Sequence, residues 1–109
     1  MKKKMLQFVN FNQTTPVKRE EKVRKKDFHE IYKDYITEKA EEQSSRCSQC
    51  GIPFCQVHCP LSNNIPDWLK LTAEGRLKEA YELSQSTNNM PEVCGRICPQ
   101  DRLCEGNCV

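Results

Sequence analysis

No stretch of the sequence approaches the roughly 18 to 20 consecutive apolar residues that a membrane-spanning helix needs, so no helical membrane span is expected. No segment alternates apolar and polar residues with the period of a strand, which argues against a sheet. No G-x-G-x-x-G fingerprint occurs, so no dinucleotide site can be assigned to these residues. Apolar residues are themselves scarce: 37% of the chain, a figure that already counts all eight cysteines, with a mean hydropathy of -0.78. Burying so little apolar surface offsets the entropy of ordering poorly. A chain of 109 residues with this composition needs a staple, either disulfides or metal. The start, Met1 to Asn10, is basic but too short and polar in its apolar part for a secretory signal. A soluble protein of the reducing cytoplasm is therefore expected, where grouped cysteines bind metal or do redox chemistry rather than form disulfides.

Charge is divided along the chain. Residues 1–46 hold 12 Lys or Arg against 8 Asp or Glu, and residues 47–109 hold 5 against 7. The basic stretch from Lys18 to Lys26 is interrupted by Glu20 and Glu21 and carries no aromatic stacking pattern, so nucleic acid is not the expected partner. Residues 1–26 lack periodicity and read as an extended arm with a short apolar anchor at Leu6, Phe8, Val9 and Phe11. From Asp27, the apolar residues Phe28, Ile31, Tyr32, Tyr35 and Ile36 fall on one face of a helix. This spacing predicts an amphipathic helix closing an N-terminal segment at residue 36. Thr37 is expected to cap the next helix, which opens the second segment, 37–109.

Asn64, Pro66 and Gly75 mark the cap, first turn and stop of a helix over 65–74, with Trp68 as a core anchor beside Leu69 and Thr72. A second helix from Arg76 to about Ser86 would turn Leu77, Ala80, Tyr81 and Ser84 inward, and Met90-Pro91 would start a third. The expected class is all-α, with a helical hairpin between two cysteine-rich segments.

Those segments are Cys47-x2-Cys50-x4-Cys55-x3-Cys59-Pro60 and Cys94-x3-Cys98-Pro99-x4-Leu103-Cys104-x3-Cys108. Four and four is the number of thiolates that two [4Fe-4S] clusters require. A short loop rarely wraps far enough to reach all four corners of one cube, and in two-cluster ferredoxins the fourth cysteine of a run serves the other cluster. By that logic the two groups exchange ligands. The first cluster takes Cys47, Cys50 and Cys55 with a returning Cys108. The second takes Cys59, Cys98 and Cys104 with Cys94 or a ligand from outside the chain. The alternative is a zinc-stabilised interaction module, since Cys-x2-Cys knuckles also build four-thiolate zinc sites. Paired zinc ribbons usually repeat Cys-x2-Cys in both halves, and the second group here does not. His58, next to Cys59, is a further candidate ligand or donor to sulfur. Arg96 and Arg102 flank ligands and either offset cluster charge or stay solvated. Gly51, Gly95 and Gly106 would let backbone amides approach sulfur, or serve ordinary turns.

The run from Cys47 through Cys55 to Cys59-Pro60, then Ile65 to Leu71, then Pro91-Glu92-Val93-Cys94-Gly95-Arg96-Ile97-Cys98-Pro99 through Cys108, resembles the N-terminal part of the small (beta) chain of NADPH-dependent glutamate synthase. A related segment opens dihydropyrimidine dehydrogenase. The resemblance implies an α-helical, ferredoxin-like domain with two [4Fe-4S] clusters, placed ahead of FAD and NADPH domains that this sequence does not include. It further implies that electrons pass from NADPH-reduced FAD toward the large (alpha) chain, where glutamate is made from glutamine and 2-oxoglutarate. The isolated segment is not expected to be catalytic alone, and a free-standing ferredoxin-like shuttle is the other reading. In the related pyrimidine enzyme a Gln beyond the last cysteine completes the second cluster, which leaves the role of Cys94 open.

Overall fold

The computed structural model describes residues 4–108. Among the described residues there are six α-helices: α1 (Glu21–Arg24), α2 (Thr37–Ser44), α3 (Phe54–His58), α4 (Ile65–Ala73), α5 (Leu77–Ser84) and α6 (Pro91–Ile97). Short 3-10 turns cover Gln7–Val9 and Glu105–Asn107. The class is all-α, as expected. Among the described residues the only strand-like feature is one isolated antiparallel bridge, Lys18 to Tyr32.

The centre of the molecule is a hairpin. Pro66 sits in the first turn of α4, where a missing N–H costs nothing, and Asn64 is the residue preceding the helix. The Asn64 side chain makes no capping bond and donates instead to Asp67. The helix ends in a Schellman motif: the Gly75 amide reaches the Thr72 carbonyl (3.0 Å) and the Arg76 amide reaches the Leu71 carbonyl (2.9 Å). This closure requires a left-handed residue, and Gly75 has φ +80. The chain then folds back, so that α5 packs along α4 while α2 packs on α4 from another side. Trp68 anchors the hairpin as expected: half-buried, it donates from Nε1 to Asn63 Oδ1 at 2.7 Å. Asn63 in turn donates to the Ser84 carbonyl at the far end of α5.

Two sequence expectations change. On α5 the inward face is Ala80, Leu83 and Ser84, whereas Leu77 and Tyr81 are 47% and 65% exposed. The second change is larger: residues 28–36 form no helix. The Asp27 carboxylate accepts the His29 amide (3.0 Å), and the Glu30 carboxylate accepts the Ile31 amide (2.9 Å). Side chains thus take backbone donors that a helix would have used. The segment pairs with the arm instead, through Arg19 N–H to the Ile31 carbonyl and Lys33 N–H to the Val17 carbonyl. Arg19 clamps Asp27 with two guanidinium bonds, and this pairing holds the Asp27 carboxyl down at about 2, with the His29 amide adding to the effect. Thr37 is the first residue of α2 rather than its cap, which is Ile36.

The arm lies against the body. Leu6 and Gln7 amides donate to the carbonyls of Cys47 and Ser45, both at 2.9 Å, and Arg46 Nε donates to the Phe11 carbonyl. Farther along, Glu30 receives both guanidinium arms of Arg96 on α6, so Arg96 is an ion-pair partner of the segment that follows the arm. Buried apolar side chains are few: among the described residues they are Pro66, Ala73 and Ala80, with Ser44 and Ser45 as buried polar ones. No helix of the described residues is long and apolar enough to cross a membrane.

Candidate metal centre

Proline decides where two of the cysteines stand. A residue before proline is driven out of the helical region. Cys59, before Pro60, is the extended C-cap of α3 (φ -71, ψ 125), and Cys98, before Pro99, is that of α6 (φ -65, ψ 129). Each of these helices carries another cysteine one turn earlier, Cys55 on α3 and Cys94 on α6. The last pair brackets the 3-10 turn Glu105–Asn107, with Cys104 before it and Cys108 after it. Cys47 follows α2, its amide reaching back to the Ser44 carbonyl.

The α3 helix packs against the Glu105–Asn107 turn, and that contact returns the end of the chain to its first cysteine group. Cys47, Cys55 and Cys108 border one cavity of about 370 Å³, walled by Phe8, Arg46 and Leu69. The arm thus supplies part of the wall, and α4 another part. Cys104 contributes to the electrostatic surroundings of Cys55, and Cys98 to those of Cys104. Cys50 is half-buried in the turn after Cys47, Cys59 is half-buried at the end of α3, and Cys94 is exposed on α6. Among the described residues no two cysteines are joined in a disulfide.

Burial pushes the Cys55 thiol up; the Gln56 amide opposes this, and neighbouring Cys47, Cys108 and Cys104 raise it further. Cys104 is likewise raised by burial, opposed by the Glu105 amide and reinforced by the Glu105 carboxylate and Cys98. Like charges gathered in partly buried space resist ionisation. Only a cation among them reverses that preference, and its binding must expel protons.

The donor set fits iron–sulfur chemistry. Soft thiolates suit iron and sulfide, and a cube puts one iron behind each thiolate, so its ligands surround it rather than meeting at one point. The thiols here border a space in that manner. Among the described residues no three His, Cys, Asp or Glu side chains converge as ligands of a single ion would.

One residue near the thiols escapes the sequence reading. Gln49, between Cys47 and Cys50, has φ 54 and donates to Cys47 Sγ from both its backbone amide (3.5 Å) and its side chain (3.3 Å). Its only local signal was its place inside a Cys-x2-Cys turn. Gly106 was noted, and the structure gives its reason: an added Cβ would stand 2.2 Å from the Asp101 carbonyl oxygen. Gly106→Ala is expected to force apart the turn holding Cys104 and Cys108, at about 1 to 3 kcal/mol for overpacking. A thermal melt of the loaded protein with iron analysis checks this; an unchanged midpoint and full iron would refute it. His58 is exposed, with Nδ1 on the Phe54 carbonyl of its own helix at 2.9 Å.

Comparisons with known proteins agree with this chemistry. The family model described as dihydropyrimidine dehydrogenase domain II, 4Fe-4S cluster, matches residues 24–109. The glutamate synthase [NADPH] small chain of Azospirillum brasilense is 70% identical over 106 residues, covering 97% of this chain and 22% of that one. That of Escherichia coli is 51% identical over 109 residues, covering 100% and 23%. The putative oxidoreductase AegA of Escherichia coli is 48% identical over 87 residues, covering 79% and 13%. The chain therefore spans under a quarter of the length of these relatives. With Cys47, Cys55 and Cys108 bordering one cavity and its match running from Arg24 through the last cysteine, the chain belongs to the 4Fe-4S family of dihydropyrimidine dehydrogenase domain II.

Proposed function

We propose that this chain is the two-cluster electron-transfer segment of an NADPH-dependent glutamate synthase small chain. In this reading Cys47, Cys50, Cys55 and Cys108 hold one [4Fe-4S] cluster. Cys59, Cys98 and Cys104 hold the other, with Cys94 or a ligand from elsewhere in the parent protein as the fourth. The observation that carries it is the return of Cys108 to the cavity bordered by Cys47 and Cys55, which lets one ligand set draw on both ends of the cysteine-rich region.

When bound, such clusters supply one-electron transfer, which suits them to divide the two-electron output of a flavin. The chain's own residues orient the thiolates, shield them and set the charge around them. The arm covers the Cys47 side through Leu6, Gln7 and Phe8. FAD and NADPH would be held by other parts of the parent, and electrons would leave toward the large chain, where glutamine and 2-oxoglutarate give glutamate. A cytoplasmic setting follows from the need for reduced thiols.

Anaerobic purification tests the reading. A brown protein with about eight irons and about eight acid-labile sulfides per chain is expected for two cubes. A colourless protein with stoichiometric zinc would overturn it in favour of a structural metal module.

A further inference from the structure

Gln49 occupies a backbone conformation that favours glycine, with φ 54. A non-glycine residue keeps such a conformation only where its surroundings over-determine it. Here they are the Cys47 sulfur and the start of α4. The side-chain amide donates to Cys47 Sγ at 3.3 Å and to the Pro66 carbonyl at 2.7 Å, while the backbone amide also points at Cys47 Sγ, at 3.5 Å. An –NH2 group carries two hydrogens, so both side-chain bonds can be made together. Glycine would relieve the backbone and lose both of those bonds.

Donors aimed at a ligand sulfur do more than hold it. A cluster becomes more negative on reduction and its thiolates share that charge, so an N–H directed at sulfur stabilises the reduced form more than the oxidised one. We propose that Gln49 is a tuning and positioning residue for the cluster bound through Cys47. Its side-chain amide raises that cluster's reduction potential while the Pro66 bond ties the sulfur to α4. This rests on the reading of Cys47 as a cluster ligand given above.

The test is a redox titration of the anaerobically loaded protein followed by electron paramagnetic resonance, with iron counted in every sample. Gln49→Leu, which keeps bulk and removes the donor, is expected to lower the reduction equilibrium constant of one cluster about tenfold. That corresponds to about 59 mV for one electron. The affected cluster should be the one that Cys108→Ala removes, with the other unmoved. Gln49→Gly keeps the backbone N–H, frees the backbone of its left-handed conformation and should shift the same cluster in the same direction. A role in packing alone would change the melting temperature without moving a potential. The proposal is overturned if Gln49→Gly holds full iron at wild-type potentials, if both clusters shift alike, or if Gln49→Gly loses the cluster outright, since a donor that only tunes leaves it in place. Should Gln49→Leu fail to load, Gln49→Gly decides alone. A wild-type protein without iron would instead sink the underlying cluster reading before any variant is compared.

Discussion

Removing the clusters by anaerobic chelation is expected to abolish cooperative thermal unfolding and most of the helical circular dichroism of this chain. The buried apolar side chains among the described residues are Pro66, Ala73 and Ala80, each contributing little surface. Larger ones, including Phe28, Val57, Tyr81 and Ile97, stay exposed. At about 25 cal/mol per Å² of buried apolar surface, such a core falls far short of an ordering cost of about 1 to 2 kcal/mol per residue. The surface ion pairs close little of the gap. Arg96–Glu30 and Arg76–Glu79 join side chains that are about half exposed, and pairs of that kind are commonly worth about 0 to 1 kcal/mol. Metal ligation adds a stabilisation larger than any of these pairs, structural zinc contributing about 10 to 16 kcal/mol in small domains. The measurement is a pair of melts, loaded and stripped, in reducing buffer. A stripped chain that still melts cooperatively would show that packing alone suffices.

The second large effect concerns which thiols belong together. Cys108→Ala is expected to reduce bound iron from about eight to about four per chain, and the surviving cluster should give the same paramagnetic signal as in Cys55→Ala. Cys98→Ala should leave the other signal. The cavity shared by Cys47, Cys55 and Cys108 motivates this pairing across the length of the cysteine-rich region. Contiguous quartets would produce the opposite pattern, with Cys108→Ala matching Cys98→Ala, and that result would reject the exchanged sets. Cys94→Ala adds a separate reading: full iron retention would mean that the second cluster finds its fourth ligand elsewhere.

Local rules succeeded where a residue acts on its own neighbours. Pro60 and Pro99 end helices at Cys59 and Cys98 because proline restricts the residue before it. Gly75 stops α4 because a Schellman closure needs a left-handed residue. The same rules failed over residues 28–36, where helical spacing of apolar residues was present but Asp27 and Glu30 captured the amides and an antiparallel bridge to Lys18 took over. Periodicity reports what a helix would bury, and nothing there is buried: Phe28 is fully exposed. On α5 the spacing was right and the face was rotated, because α4 sets which side is covered.

The amino-acid sequence by itself determined the chemistry of this protein: eight soft donors in two groups, too little apolar surface to fold without them, and a helical hairpin to join them. The sequence already grouped Cys108 with Cys47 and Cys55; only the tertiary structure decided that the arm covers Cys47 and that Gln49 reaches from sulfur to the first turn of α4. The donor type is a property of single residues and their near neighbours. The company a donor keeps depends on contacts between residues distant in sequence, which the packing of α3 on the last turn and of α2 on α4 creates.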